Sequence, residues 1–85
     1  MSINDYCYVD MCIDSSDWQG VIGWVVMADD MTGSSFNVSF EYSAAADVLA
    51  IGDMDPGLFS RYRDEFLVDA REAYVENIEE LRAMN

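Results

Sequence analysis

The chain of 85 residues contains no histidine and no lysine. Without imidazole there is no general base titrating near neutral pH and no histidine metal ligand. Without lysine there is no Schiff-base nucleophile, and Ser-His-Asp or Cys-His catalysis within one chain is ruled out. Cysteine is sparse: Cys7 and Cys12 are the two thiols, too few for a four-ligand zinc or iron–sulfur site. On one strand their odd separation predicts opposite faces. They would stand roughly 17 Å apart at the strand rise, beyond disulfide reach, so both are expected to be unbonded small hydrophobes in a reducing compartment. No apolar run approaches the length of a membrane span. The start MSINDYCYVD has no basic segment of the kind that opens a signal peptide. The expectation is a cytoplasmic protein that is not an enzyme, with no membrane association, cofactor or metal. Asp53-Met54-Asp55 followed by Gly57 departs from a calcium loop, which needs its glycine at position six and an oxygen ligand at position five.

Acid is abundant instead. Eleven Asp and six Glu face four Arg, for a formal net charge of -13. Small domains keep themselves in solution with a net charge of roughly 2–8 in magnitude, and the excess destabilises a compact state by self-repulsion. Three explanations are open, namely attraction to a basic partner, imitation of nucleic acid, and hydration in high salt, beside the plain one that small proteins scatter widely in charge. The chain is nevertheless no disordered acidic tail, since 52% of its residues are hydrophobic and eleven are aromatic. It reads as one domain spanning 1–85.

Hydrophobic periodicity divides the chain into an α+β pattern. Residues 5–13 (DYCYVDMCI) alternate, with Cys7, Val9, Met11 and Ile13 on one side and Tyr6, Tyr8, Asp10 and Cys12 on the other. Residues 21–28 (VIGWVVMA) form a short apolar run suited to a central strand, with Trp24 read as core and Gly23 as a bulge or close approach. In residues 35–42 (SFNVSFEY), Phe36, Val38, Phe40 and Tyr42 alternate with Asn37, Ser39 and Glu41. Polar turns of five to seven residues between them favour antiparallel neighbours, hence a three-stranded antiparallel β-meander. Ser43 is positioned to cap a short helix, AAADVLAI, stopped by Gly52. Asp55-Pro56 then opens a long C-terminal amphipathic helix running to about Met84.

At about 100° per residue, Leu67, Ala70, Tyr74, Ile78 and Leu81 cluster on one side of that helix, widened by Phe59, Phe66 and Ala73. Arg71 and Arg82 fall at the margin, where their stems can lie over apolar surface. Opposite stand Glu65, Asp69, Glu72, Glu76, Glu79 and Glu80. Six carboxylates over fifteen helical steps span roughly 22 Å, or one charge per about 3.8 Å. A nucleic-acid strand carries one per roughly 3.4 Å. Surface helices usually interleave acids with bases at i,i+4, whereas Glu72–Glu76 and Glu76–Glu80 are like-charge pairs at that spacing, and Glu79–Arg82 at i,i+3 is the one evident relief. The plain alternative is a solvated helix face. A second acidic set, among it Asp17, Asp29 and Asp30, falls in turns, where aspartate also serves local hydrogen bonding. Trp18, beside Asp17 in a polar turn, is the candidate apolar anchor.

In length, in acidity without lysine and in the ridge from Glu65 to Glu80, the chain resembles small acidic phage-encoded inhibitors, the nucleic-acid mimics that block restriction enzymes or CRISPR effector complexes. The resemblance is one of class and carries no diagnostic motif. It implies an anti-CRISPR or anti-restriction protein in the host cell cytoplasm, one that occupies the cationic channel of a nucleic-acid-handling complex without itself binding nucleic acid. Two other readings stand beside it. One is a general interaction module, antitoxin-like or chaperone-like, binding a basic protein through Trp18 and the wet face of the sheet; the other is a salt-adapted protein of unrelated function. A sheet this small under one helix leaves apolar surface uncovered, with Tyr6, Tyr8 and Trp18 as candidates, which points to a homodimer.

Overall fold

Residues 6–83 are described by the computed structural model. Four strands, β1 (Cys7–Ser16), β2 (Gly20–Ala28), β3 (Ser35–Ser43) and β4 (Val48–Ile51), precede one helix, α1 (Pro56–Ala83). The strands form a single antiparallel sheet in the order β1-β2-β3-β4, and α1 packs across one face. The α+β class, the antiparallel meander and the long C-terminal helix are as the periodicity predicts. Asp5 and Met84, placed by that reading in the first strand and the helix, lie outside the described residues.

Alternation along β2 and β3 explains the core. Val21, Val25 and Met27 are fully buried, and Val38, Phe40 and Tyr42 nearly so; residues two apart share a sheet face. They meet Leu58, Phe66 and Ala70 of α1, all fully buried. Phe66 centres an aromatic group, with Tyr8 edge-on at 4.7 Å and Phe59 stacked at 6.2 Å between ring centroids, both within the favourable range. α1 starts where expected: the Asp55 carboxylate accepts from Leu58 N at 3.1 Å and the Asp55 carbonyl from Phe59 N at 2.9 Å, an N-cap satisfying otherwise orphaned donors. No helix among the described residues is long and apolar enough to cross a membrane.

Three expectations are corrected. The expected short helix 44–51 is a turn followed by β4. Leu49 pairs with Tyr42 and Ile51 with Phe40, so both join the core side of β3, and this outweighs the helix preference of three alanines. Asp47 sits at φ 54°, a left-handed conformation that aspartate tolerates and that breaks a helix. The sheet therefore has four strands, not three.

In β1 the simple alternation fails. Pairing with β2 skips Val9 and Asp14, so each marks a bulge that absorbs one residue and reverses the facing of the residues after it. Tyr8 before the first bulge and Met11 after it both pack against the core, together with Tyr6, whereas the alternation assigned Tyr6 and Tyr8 to the face away from Met11. Cys7 and Cys12 pair with Ala28 and Trp24, four apart on the regular strand β2, so they share a register parity and are not on opposite faces. Neither thiol is in a disulfide.

Trp24 is the third correction. It alternates with the core residues Gly23 and Val25, and so lies half-buried on the face away from α1. Gly23 does mark a close approach: a Cβ there would fall 2.0 Å from the Cys12 carbonyl oxygen, so β1 lies against β2 in a way that no side chain at position 23 permits.

Candidate functional site

The aspartates and glutamates separate by what they bind. Asp17 organises the β1–β2 turn: its Oδ1 accepts from Gln19 N at 2.8 Å and Gly20 N at 3.2 Å. Asp29 does the same in the β2–β3 turn, accepting from Met31 N at 2.9 Å, while Gly33 N bonds the Asp29 carbonyl at 2.8 Å. Asp29 is only 1% exposed, so of the two adjacent turn acids Asp30 alone meets solvent. The side chain of Asp29 cannot contribute directly to a binding surface. Its Oδ2 is buried without a hydrogen-bond partner.

Asp47, unnoticed while its segment read as helix, holds the β3–β4 turn to α1. Arg71 Nε donates to its Oδ1 at 3.1 Å and Nη2 to its Oδ2 at 2.8 Å, and the Tyr42 hydroxyl donates to Oδ1 at 2.6 Å. The guanidinium, helped by the Tyr42 hydroxyl, holds the Asp47 carboxyl below the usual carboxylate range. Burial, and then the bond to Asp47, pushes the Tyr42 hydroxyl up.

On α1 the predicted ridge is mostly present. Glu65, Glu72, Glu76, Glu79 and Glu80 are all exposed, and the Arg71–Asp47 ion pair leaves them out. Asp69 departs from the ridge: it turns toward β1 and accepts from the Tyr8 hydroxyl at 2.5 Å. Burial first, then this bond, raises the Tyr8 pKa far above its ordinary value. Five outward carboxylates over roughly 22 Å give one per about 4.5 Å, sparser than a phosphate strand.

The inward turn of Asp69 exposes a feature that periodicity did not reveal. Between β1 and α1 runs a groove of about 260 Å³. Asp69, Glu72 and Glu76 stand along its helix side and Asp10 along its strand side, with Val9, Met11, Ile13 and Ala73 between. Val9 is 60% exposed and Ile13 40%. None of the four arginines lines it. Val9, which the pairing with β2 skips, lies in it, and a regular alternation contains no signal for that bulge.

Trp18 is 50% exposed in the turn between β1 and β2. Its carbonyl accepts from the Tyr74 hydroxyl at 2.9 Å, and its ring borders a hollow of about 550 Å³ with Gln19, Ser43, Ala44, Ala45 and Tyr74. The turn that bears Trp18 is thereby tied to α1 between Glu72 and Glu76, although none of the ridge carboxylates lines the hollow itself. Among the described residues no group of three or more acidic, cysteine or histidine side chains is arranged to hold a metal ion. Comparison with family models, with curated proteins and with solved structures finds no match to this chain.

Proposed function

We propose that the protein is an acidic binding protein that occupies a basic nucleic-acid-binding surface of a partner and so inhibits it, a DNA or RNA mimic of the phage anti-defence, anti-CRISPR type. The observation that carries this reading is the row Glu72, Glu76 and Glu80, exposed at i,i+4 along α1 with no arginine interleaved. Each such pair repels its neighbour and weakens the helix slightly. A cationic channel would meet the row as a line of charge and turn that repulsion into attraction. The row sits on a 28-residue helix capped at Asp55, tied to the turns at Arg71 and Tyr74 and buried through Ile78, so the charges are presented with little ordering cost.

Competition tests the reading. A partner captured by the wild-type chain should be displaced by DNA or RNA, and the chain should block that partner's nucleic-acid binding. A partner that holds both at once, each at undiminished affinity, contradicts mimicry.

A general interaction module binding a basic protein is the second reading, favoured by half-exposed Trp18 beside its hollow. Trp18→Ala would then abolish capture while the glutamate row could be neutralised with little effect. The homodimer, expected on Tyr6, Tyr8 and Trp18, keeps exposed Trp18 but exchanges the two tyrosines, which pack against the core, for Ile22, Trp24 and Val26 of the uncovered sheet face. Light scattering at moderate salt reads it directly, and a monomeric mass at high concentration would remove it.

A further inference from the structure

We propose that the groove between β1 and α1 receives an extended segment of the partner that mixes arginine with aliphatic residues, whose aliphatic side chains and arginine stems lie on Val9, Ile13 and Ala73 while the guanidinium groups reach Asp10, Glu72 and Glu76. The groove rests on the basic-partner reading and adds the chemistry of the partner to it. A pure phosphate mimic needs a convex line of charge. Here two of the row's three glutamates also wall a concavity, and the facing wall supplies Asp10. Val9 and Ile13, 60% and 40% exposed, add apolar surface among these carboxylates. Charge complementarity selects the occupant. Four carboxylates and no arginine border the groove, so an acidic or wholly apolar segment is disfavoured there, and a second copy of a chain of charge -13 brings mostly more acid. Arginine matches both features, since its stem covers apolar surface while its planar head binds carboxylates in pairs. The occupant is read by side chains and not as a fifth strand, because the bulges at Val9 and Asp14 interrupt the free edge of β1 and bulged edges resist ladder extension.

The test uses two synthetic eight-residue peptides of equal charge, one alternating arginine with valine and one alternating arginine with glycine. Each is titrated into the isotopically labelled full chain and followed by backbone amide shifts. The arginine–valine peptide should bind more tightly and move the amides of Val9, Met11, Ile13 and Ala73. The double substitution Val9→Ser with Ile13→Ser, which changes no charge and alters exposed positions, should weaken it by about tenfold, the order expected for partial burial of two aliphatic side chains. Equal binding of the two peptides, or shifts confined to Glu65, Glu79 and Glu80, overturns the groove while leaving the ridge reading standing. Loss of binding on replacing Glu79 and Glu80, with the groove amides unmoved, has the same meaning. Because the wild-type footprint is decisive by itself, the result does not depend on the variant folding.

Discussion

The turn aspartates and the helix glutamates carry the same charge and do opposite things. Asp17, Asp29, Asp47 and Asp55 each accept hydrogen bonds from nearby backbone or from Arg71 and Tyr42. Glu72, Glu76, Glu79 and Glu80 stand in solvent beside one another. Asp17, Asp29 and Asp55 act through their geometry, and Asp47 adds an ion pair with Arg71 to the same role. Among the described residues the glutamates form no ion pair, and the proposed function assigns their charge to a partner. A net charge of -13 is therefore not one property to be explained once, and the proposed function draws on the part of it on α1.

The largest expected effect that would break this contrast is at Asp29. Asp29→Ala leaves Met31 N without its acceptor in a buried turn and should destabilise the fold by about 1–3 kcal/mol, read by chemical denaturation. Asp29→Asn sharpens the point: it can retain an acceptor for Met31 N while removing a buried charge with an unpartnered oxygen, so it should be at least as stable as the wild type. If the asparagine variant is as damaged as the alanine one, the charge and not the geometry matters there. Next comes the N-cap, where Asp55→Ala should cost about 1 kcal/mol, seen as a lower Tm and loss of helical signal from the first turns of α1.

Titration gives smaller effects on both sides of neutrality. Tyr8 has a raised folded pKa, so its bond to Asp69 contributes fully below the ordinary tyrosine value of about 10 and is lost progressively as pH rises above it. Denaturation midpoints should fall above about pH 10, and Tyr8→Phe should make that fall shallower. Asp47 has a lowered pKa, so its bond to Arg71 contributes above the ordinary carboxylate value of about 4 and disappears as pH drops below it. Both partners are about half exposed, so salt should weaken this pair, and Arg71→Met should blunt the acid-side loss at low ionic strength.

Much of the architecture was legible because β2, β3 and α1 obey their periods. Phe36 to Tyr42 alternate cleanly, and Asp55-Pro56 marks a helix start by chemistry that needs no tertiary context. The failures have physical causes. Bulges at Val9 and Asp14 depend on how β1 fits β2, including the close approach at Gly23, and nothing within β1 marks their positions. Residues 44–51 read as helix because alanine is intrinsically helical, yet Leu49 and Ile51 gain core contact only as a strand. The ridge was legible from the helical wheel, apart from Asp69, whose wheel position near the flank conceals the reach of Tyr8 from another strand. The groove was not legible, since it needs both the bulge and that contact.

The smallest effect on stability accompanies what should be the largest effect on binding. Replacing Glu72, Glu76 and Glu80 together with Gln removes two like-charge i,i+4 pairs at nearly constant helix propensity, so the fold should gain about 0.5 kcal/mol or stay unchanged. The measurement that tests the central claim is a titration of this triple variant and the wild type against a basic nucleic-acid-binding partner captured by the wild type, at several salt concentrations. The account predicts a sharp loss of affinity and a flattened salt dependence for a variant that melts no earlier than wild type. Equal affinity and an equal salt slope in a well-folded variant would contradict it and reduce the ridge to a solvated face.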